Sequence, residues 1–238
     1  MKLHILAFGA HPDDVEISCT GTLLKHIEQG YKVGIIDLTA GELGTRGSKE
    51  IRLREASEAA KKMGLAIREN LYMRDGFFQN DEEHQLRIIQ KIRQYQPDII
   101  LANAPSDRHS DHGRAAMLVK EAAFLSGLIK IKTTLNGKTQ QAWRPKAVYH
   151  YIQDYHLEPS FVIDISPYFQ KKLEVIKCYA SQFYNPNSSE PETSISRKDF
   201  FEVIESKARL FGRAISTEFA EGFIANRWIG VRNILELD

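Results

Sequence analysis

The sequence predicts an α/β fold built on a mostly parallel sheet with helices on both faces. Three observations carry this reading. Short apolar runs of strand length alternate with helix-periodic stretches as far as Leu128. The first and fourth of those runs are each followed at once by a cluster of His and Asp residues. A chain of 238 residues with 42% hydrophobic content is also long enough for one large core. The expected organisation is therefore a single domain over residues 1–238, with a smaller C-terminal α/β extension.

Leu3 to Phe8 is an apolar run that stops at Gly9-Ala10 and reads as a buried strand. The polar group His11-Pro12-Asp13-Asp14 follows, and Val15 to Gln29 then places Ile17, Leu23, Leu24 and Ile27 at helical spacing, closed by Gly30. Lys32 to Thr39 is the second strand. Ala40 to Gly47 carries Gly41, Gly44 and Gly47 and reads as a mobile loop at the same sheet edge. Lys49 to Gly64 is a strong helix whose face is set by Ile51, Leu53, Ala56, Ala59, Ala60 and Met63, with Gly64 as its stop. Asn70 to Met73 gives a short strand, Glu82 to Tyr95 a helix, and Pro97 to Asn103 the next strand. Strand and helix in alternation make βαβ units, so the predicted sheet is Rossmann-like.

Asp111 to Leu128 is a further helix, with Ala115, Ala116, Leu118, Val119, Ala122 and Ala123 apolar. Beyond it the pattern loosens. Thr133 to Gln141 holds an Asn-Gly pair and reads as an exposed loop or hairpin. Ala147 to Ile152 and Phe161 to Ile165 are strands, and the second runs into a helix that starts at Pro167 and reaches Tyr179. Asn185 to Arg197 is rich in Pro, Ser and Asn and reads as a loop or lid. Asp199 to Phe219 is a long final helix, after which the chain ends in short extended pieces.

Lys+Arg 32 against Asp+Glu 31 argues against a strongly basic surface, and so against nucleic acid as a partner. The two cysteines, Cys19 and Cys178, have no CxxC-type neighbour and read as buried thiols rather than ligands or a disulfide. The N-terminal apolar run is too short for a signal peptide or a membrane span, which predicts a cytoplasmic protein without membrane attachment.

Ligands of open α/β sheets bind beyond the carboxyl ends of the strands. His11, Asp13 and Asp14 lie there, and so does the second cluster, Asp107-Arg108-His109-Ser110-Asp111-His112, after the run Ile99 to Ala102. Either cluster alone is compatible with helix capping. Two strand ends of one sheet that both carry His and Asp favour a metal site. A catalytic zinc takes three protein ligands and keeps one position for water. His11, Asp14 and one histidine of the second cluster supply such a set, and Asp13, projecting in another direction, is left as general base. If His112 is the ligand, His109 is free to face a developing oxyanion, and Asp111 can hold a histidine tautomer. Arg52 and Arg54 are either a solvated helix surface or an anion clamp. The reaction class is hydrolysis of an amide or ester; neither a Gly-x-Ser-x-Gly elbow nor a Walker-type loop occurs.

Ala10-His11-Pro12-Asp13-Asp14-Val15-Glu16, Thr39-Ala40-Gly41-Glu42 with Gly44-Thr45-Arg46-Gly47, Arg52-x-x-Glu55-Ala56 and Asp107 to His112 together resemble the LmbE-like (PIG-L) zinc deacetylases. These enzymes remove an acetyl group from N-acetylglucosaminyl conjugates. Ser181-Gln182-Phe183 and Glu218 to Phe223 are similar to the branch that makes bacillithiol, whose substrate is N-acetylglucosaminyl malate. The resemblance implies that His11, Asp14 and His112 hold one zinc ion, or iron or cobalt in its place. It implies Asp13 as base, His109 at the oxyanion, and Arg52 and Arg108 against a small amino-sugar conjugate. A homo-oligomer, often a hexamer, is implied as well. Ser110 stands where the family more often has Pro.

Overall fold

The computed structural model describes residues 1–236. In chain order its elements are β1 (Ile5–Gly9), α1 (Asp14–Glu28), β2 (Val33–Thr39), α2 (Lys49–Met63), β3 (Ile67–Met73), α3 (Glu82–Tyr95), β4 (Ile99–Ala102) and α4 (Ser110–Leu125). There follow a small hairpin, β5 (Thr134–Leu135) and β6 (Lys138–Thr139), then β7 (Ala147–Tyr151), β8 (Phe161–Asp164), α5 (Phe169–Ile176), α6 (Phe200–Ala214) and β9 (Ala220–Ala225). Among the described residues no helix is long and apolar enough to cross a membrane.

Seven strands form one sheet in the order β3-β2-β1-β4-β7-β9-β8, and the first five run parallel. Helices cover both faces, as expected. Val15 and Leu23 of α1, Ala56 and Ala59 of α2, Val175 of α5 and Ile204 of α6 pack into one core with Ala7 and Ile35. Ile88 and Ile92 of α3 and Ala115 and Leu118 of α4 pack into the other with Leu6, Phe8 and Ile36. Strands buried on both faces read as continuous apolar runs, which is why β1 was legible without alternation.

Several boundaries move. β3 starts at Ile67 rather than Asn70, because the charges of Arg68 and Glu69 are paired, Arg68 with Asp37 and Glu16 and Glu69 with Lys91. Arg68 there donates to both oxygens of Asp37 and to Glu16 and Tyr179. The last helix stops at Ala214 instead of Phe219, where Ser216 turns left-handed with φ 58° and Phe219 stacks face to face on Phe169. The terminal extended piece is a sheet strand: β9 lies antiparallel between β7 and β8.

The chain leaves β1 in one direction for β2 and β3, then returns to place β4 on the other side of β1. The carboxyl ends of β1 and β4 therefore flank a topological switch point, the crevice where open sheets bind ligands. His11 follows β1 and Asp107 to His112 follow β4, so one crevice receives both clusters.

Candidate active site

Asp13 precedes α1 with φ 110° and ψ −25°, a strained left-handed backbone for a residue with a Cβ. Its side chain makes no capping bond and instead accepts from Arg52 Nη2 at 3.0 Å. Burial pushes the Asp13 carboxyl up to about 7, against the pull of the Arg52 charge. Asp14, the first residue of the helix, is turned the other way. Its Oδ2 accepts from the His11 backbone N–H and Asn103 Nδ2, each at 2.9 Å, and its Oδ1 accepts from Gln153 Nε2 at 3.2 Å. Burial opposes its ionisation, yet the charge of His112 and the bonds to both histidines hold Asp14 well below the usual carboxylate range.

The Asp14 Oδ1 atom lies 3.0 Å from His112 Nε2, and Asp14 Oδ2 lies 3.6 Å from His11 Nδ1. Two donors bound to zinc at about 2.1 Å in a tetrahedron sit ~3.4 Å apart, so each of these two separations suits a pair of donors on one ion, while gathering one donor atom from all three residues around it requires side-chain movement. The other nitrogen of each ring is already engaged. His112 Nδ1–H donates to Asp107, and His11 Nε2–H faces Asp75 Oδ1 at 3.0 Å and Asp111 Oδ2 at 3.4 Å. Carboxylates behind ligating imidazoles set the tautomer and aim the free lone pair.

The two groupings whose donor atoms all fall within 4.8 Å of one another among the described residues are His11, His109 and His112, and His11, Asp75 and Asp111. The second is committed elsewhere. Asp75 Oδ2 accepts from the Leu43 N–H, while Asp111 accepts from Arg114 and the Gly76 N–H. Those carboxylates orient His11, and Asp14 is the carboxylate that lies against both histidines, through Oδ2 toward His11 and Oδ1 toward His112. His109 caps α4, its Nδ1 accepting from the Asp111 N–H at 3.2 Å, so a neutral ring keeps a proton on Nε2. Burial and the neighbouring imidazoles lower its pKa.

Arg52 is buried and donates through Nη2 to Pro12 O and Asp13, while its Nε has no partner. Gly41 permits this approach: a Cβ there would sit 2.2 Å from Arg52 Nη1, and its φ is +64°. Arg108 is half exposed at the mouth, with Nε on Asp154 at 2.5 Å. Arg54 does not line the cavity of about 280 Å³ that holds the other candidates. The glycine loop is anchored rather than free. The Arg46 guanidinium donates to the carbonyls of Ser181, Phe183 and Pro191, and Gln182 Nε2 returns a bond to Arg46 O.

Residues 6–123 match the PIG-L family, described as GlcNAc-PI de-N-acetylase. A conserved protein of Thermus thermophilus, TT1542, superposes with a TM-score of 0.85 at 31% identity, covering 98% of each chain. The chain belongs to the PIG-L family. Diacetylchitobiose deacetylase of Thermococcus kodakarensis is 29% identical over 191 residues, 75% of this chain and 70% of that protein. A 4-oxalmesaconate hydratase of Pseudomonas putida is 25% identical over 193 residues, 74% and 73% of the two chains. A probable N-acetyl-alpha-D-glucosaminyl L-malate deacetylase 2 of Bacillus anthracis is 25% identical over 193 residues, 76% and 81%.

The stretch matched to the PIG-L family carries both His/Asp clusters, but the site draws on more. Asn103, Asp75, Asp107 and Gln153 all reach the centre, and sequence reasoning gave none of them a task. A usable signal existed. Each parallel strand that points at the crevice is followed within a few residues by a polar side chain: Asp75 after β3, Asn103 after β4, Gln153 after β7. Gln153, and a cavity wall supplied by α6 and β9, lie beyond the family match.

Proposed function

We propose that this protein is a metal-dependent N-deacetylase that hydrolyses the acetamide of an N-acetylglucosaminyl conjugate. The observation that carries the reading is the divided acidic pair: Asp14 lies between His11 and His112, while Asp13 beside it points at Arg52 and the cavity. His11, Asp14 and His112 would hold the ion, and zinc bound there supplies a Lewis acid that activates water and polarises the amide carbonyl. Asp13 takes the proton of the attacking water as general base and returns it to the leaving amine. The His109 Nε2–H is placed to donate to the amide oxygen as negative charge develops.

The malate conjugate is the first substrate to try. Arg52 has an unpartnered Nε and Arg108 stands half exposed at the mouth, so two guanidinium groups are available to an acidic aglycone. The Bacillus anthracis relative's name supports the same choice. In this reading residues 1–238 form one deacetylase domain that works as a homo-oligomer on a small molecule. A cytoplasmic setting goes with it, since free thiols such as Cys19 and Cys178 persist where the medium is reducing.

Metal analysis and acetate release test the proposal together. Wild-type protein should carry about one zinc per chain and release acetate; His11→Ala should lose both with its melting behaviour intact. Asp13→Asn should keep its zinc while turnover falls by roughly 10²–10⁴. A normal rate in Asp13→Asn would sink the assigned base. Acetate release also separates deacetylation from hydration, the activity named for the Pseudomonas putida relative, because hydration frees no second product.

A further inference from the structure

The cavity does not end at the catalytic cluster. Ile17 and Ser18 line it, three and four residues after Asp14, so the face of α1 that presents Asp14 continues into it within one helical turn. The facing wall is one stripe of α6. Phe200, Val203, Ile204, Lys207, Ala208 and Phe211 follow the i, i+3, i+4, i+7, i+8, i+11 spacing, and all of them line the space. Lys207 turns its ammonium away, onto the carbonyls of Gln153 and Asp154, and so leaves an apolar surface behind it. Ile152 and Ile195 complete the walls.

At the floor of this arm two polar groups have spare capacity. Ser18 is 8% exposed and its hydroxyl has no hydrogen-bond partner. Lys172 is 3% exposed and its ammonium, with three donors, meets one partner among the described residues, Glu221 at 2.6 Å. The Lys172 and Glu221 charges cancel, so the floor offers donors without a net charge. A dicarboxylate such as malate would be met by the arginines near the catalytic end and would leave this arm unfilled.

We propose that the arm binds an uncharged, largely apolar chain carried by an amino-sugar substrate other than the malate conjugate, with an oxygen of that chain received by Ser18 and Lys172. The ligand's identity as an amino sugar rests on the function proposed above; the arm itself does not. The chain has two candidate sources, an N-acyl group longer than acetyl or an apolar aglycone, and both enter past the same centre. α6 and β9 lie in the C-terminal part, outside the stretch matched to the family.

Calorimetric titration of the zinc-loaded Asp13→Asn protein with N-acetylglucosamine, N-hexanoylglucosamine and the hexyl glycoside of N-acetylglucosamine tests this directly. Each buried methylene is worth roughly fourfold in affinity, so at least a tenfold gain is expected for one chain-bearing ligand over N-acetylglucosamine. Which ligand gains identifies the source of the chain. Adding Val203→Asp, a half-exposed position on the stripe that tolerates a polar side chain, should abolish the gain, and so should Ala208→Phe if it folds. Equal affinities for all three ligands, or a gain that survives Val203→Asp, would overturn the proposal. A retained tenfold preference in Asp13→Asn, with no turnover of any of the three by wild type, would remove the deacetylase reading and leave the arm standing.

Discussion

At the scale of single residues the site is governed by which nitrogen of each imidazole carries a proton. Asp107 is placed to take the Nδ1–H of His112, and Asp75 with Asp111 the Nε2–H of His11, so that each ring in its neutral form would turn a lone pair toward Asp14. Asp107→Asn puts an amide N–H against the His112 ring N–H and should weaken zinc binding by about 10–100-fold, read by competition with a chelator. An unchanged zinc affinity would show that Asp107 serves only the backbone N–H groups of Asp154 and Tyr155 that it also accepts. His150 shows the same logic away from this cluster. Its Nδ1–H donates to Asn103 O at 2.8 Å and its Nε2 accepts from Asn226, an arrangement satisfied by the neutral ring. Burial, helped by the charge of Lys120 and opposed by the Asn103 bond, lowers its pKa from 6.5. The unfolded chain therefore binds the proton first as pH falls below ~6.5, and stability is lost with it. His150→Gln should lose less stability than wild type between pH 7.5 and 5.5, measured as the difference in urea midpoints.

At the scale of elements, two features depart from local expectation. The loop of residues 41–47 has the glycine content of a mobile segment, yet Arg46 is buried and bonded to the carbonyls of Ser181, Phe183 and, within the region that reads as a lid, Pro191. Glycine at 41 is there for the close approach of Arg52, a requirement of the site rather than of motion. Arg46→Ala should release both segments at once, and hydrogen exchange should rise together in residues 41–47 and 181–191. A rise confined to the loop would mean that the two are not coupled. Helix α1 is the second case. It kinks at Cys19, where φ is −140°, because the Glu221 carboxylate accepts the N–H groups of Gly21 and Thr22 and takes the place of helix carbonyls.

At the scale of the whole molecule, that same carboxylate links the parts. Glu221 lies on β9, its N–H partners on α1 about two hundred residues earlier, and its ion partner Lys172 on α5. The pair is buried at both ends. Lys172→Met leaves a lone buried charge and should cost about 3–5 kcal/mol in urea unfolding, and adding Glu221→Gln should return part of that loss. No recovery in the double variant would place the energy in packing instead.

Much of this molecule is readable along the chain because its signals are local. The βαβ order, the end of α2 at Gly64 with φ 78°, and the two His/Asp clusters each depend on residues within a few positions of one another. The resemblance of those clusters added roles for His11, Asp13, Asp14, Arg52, Arg108, His109 and His112, and six of the seven gather around one centre with Arg108 at its rim. Asp75, Asn103 and Gln153 were not readable in the same way. A single Asp, Asn or Gln after a strand is the commonest kind of loop residue, and only the side-by-side placement of β3, β4 and β7 gives those three a common target. The terminal strand β9 escaped for the same reason, since its pairing partners are β7 and β8 and its burial comes from them and from α6 and α1. The sequence by itself determined the alternating architecture and the chemical types that meet at the switch point, because periodicity and motif spacing are properties of neighbouring residues. Tertiary structure decided which oxygen faces which nitrogen, and that the cavity continues past the catalytic centre between α1, α6 and β9, because both depend on contacts between segments far apart in the chain.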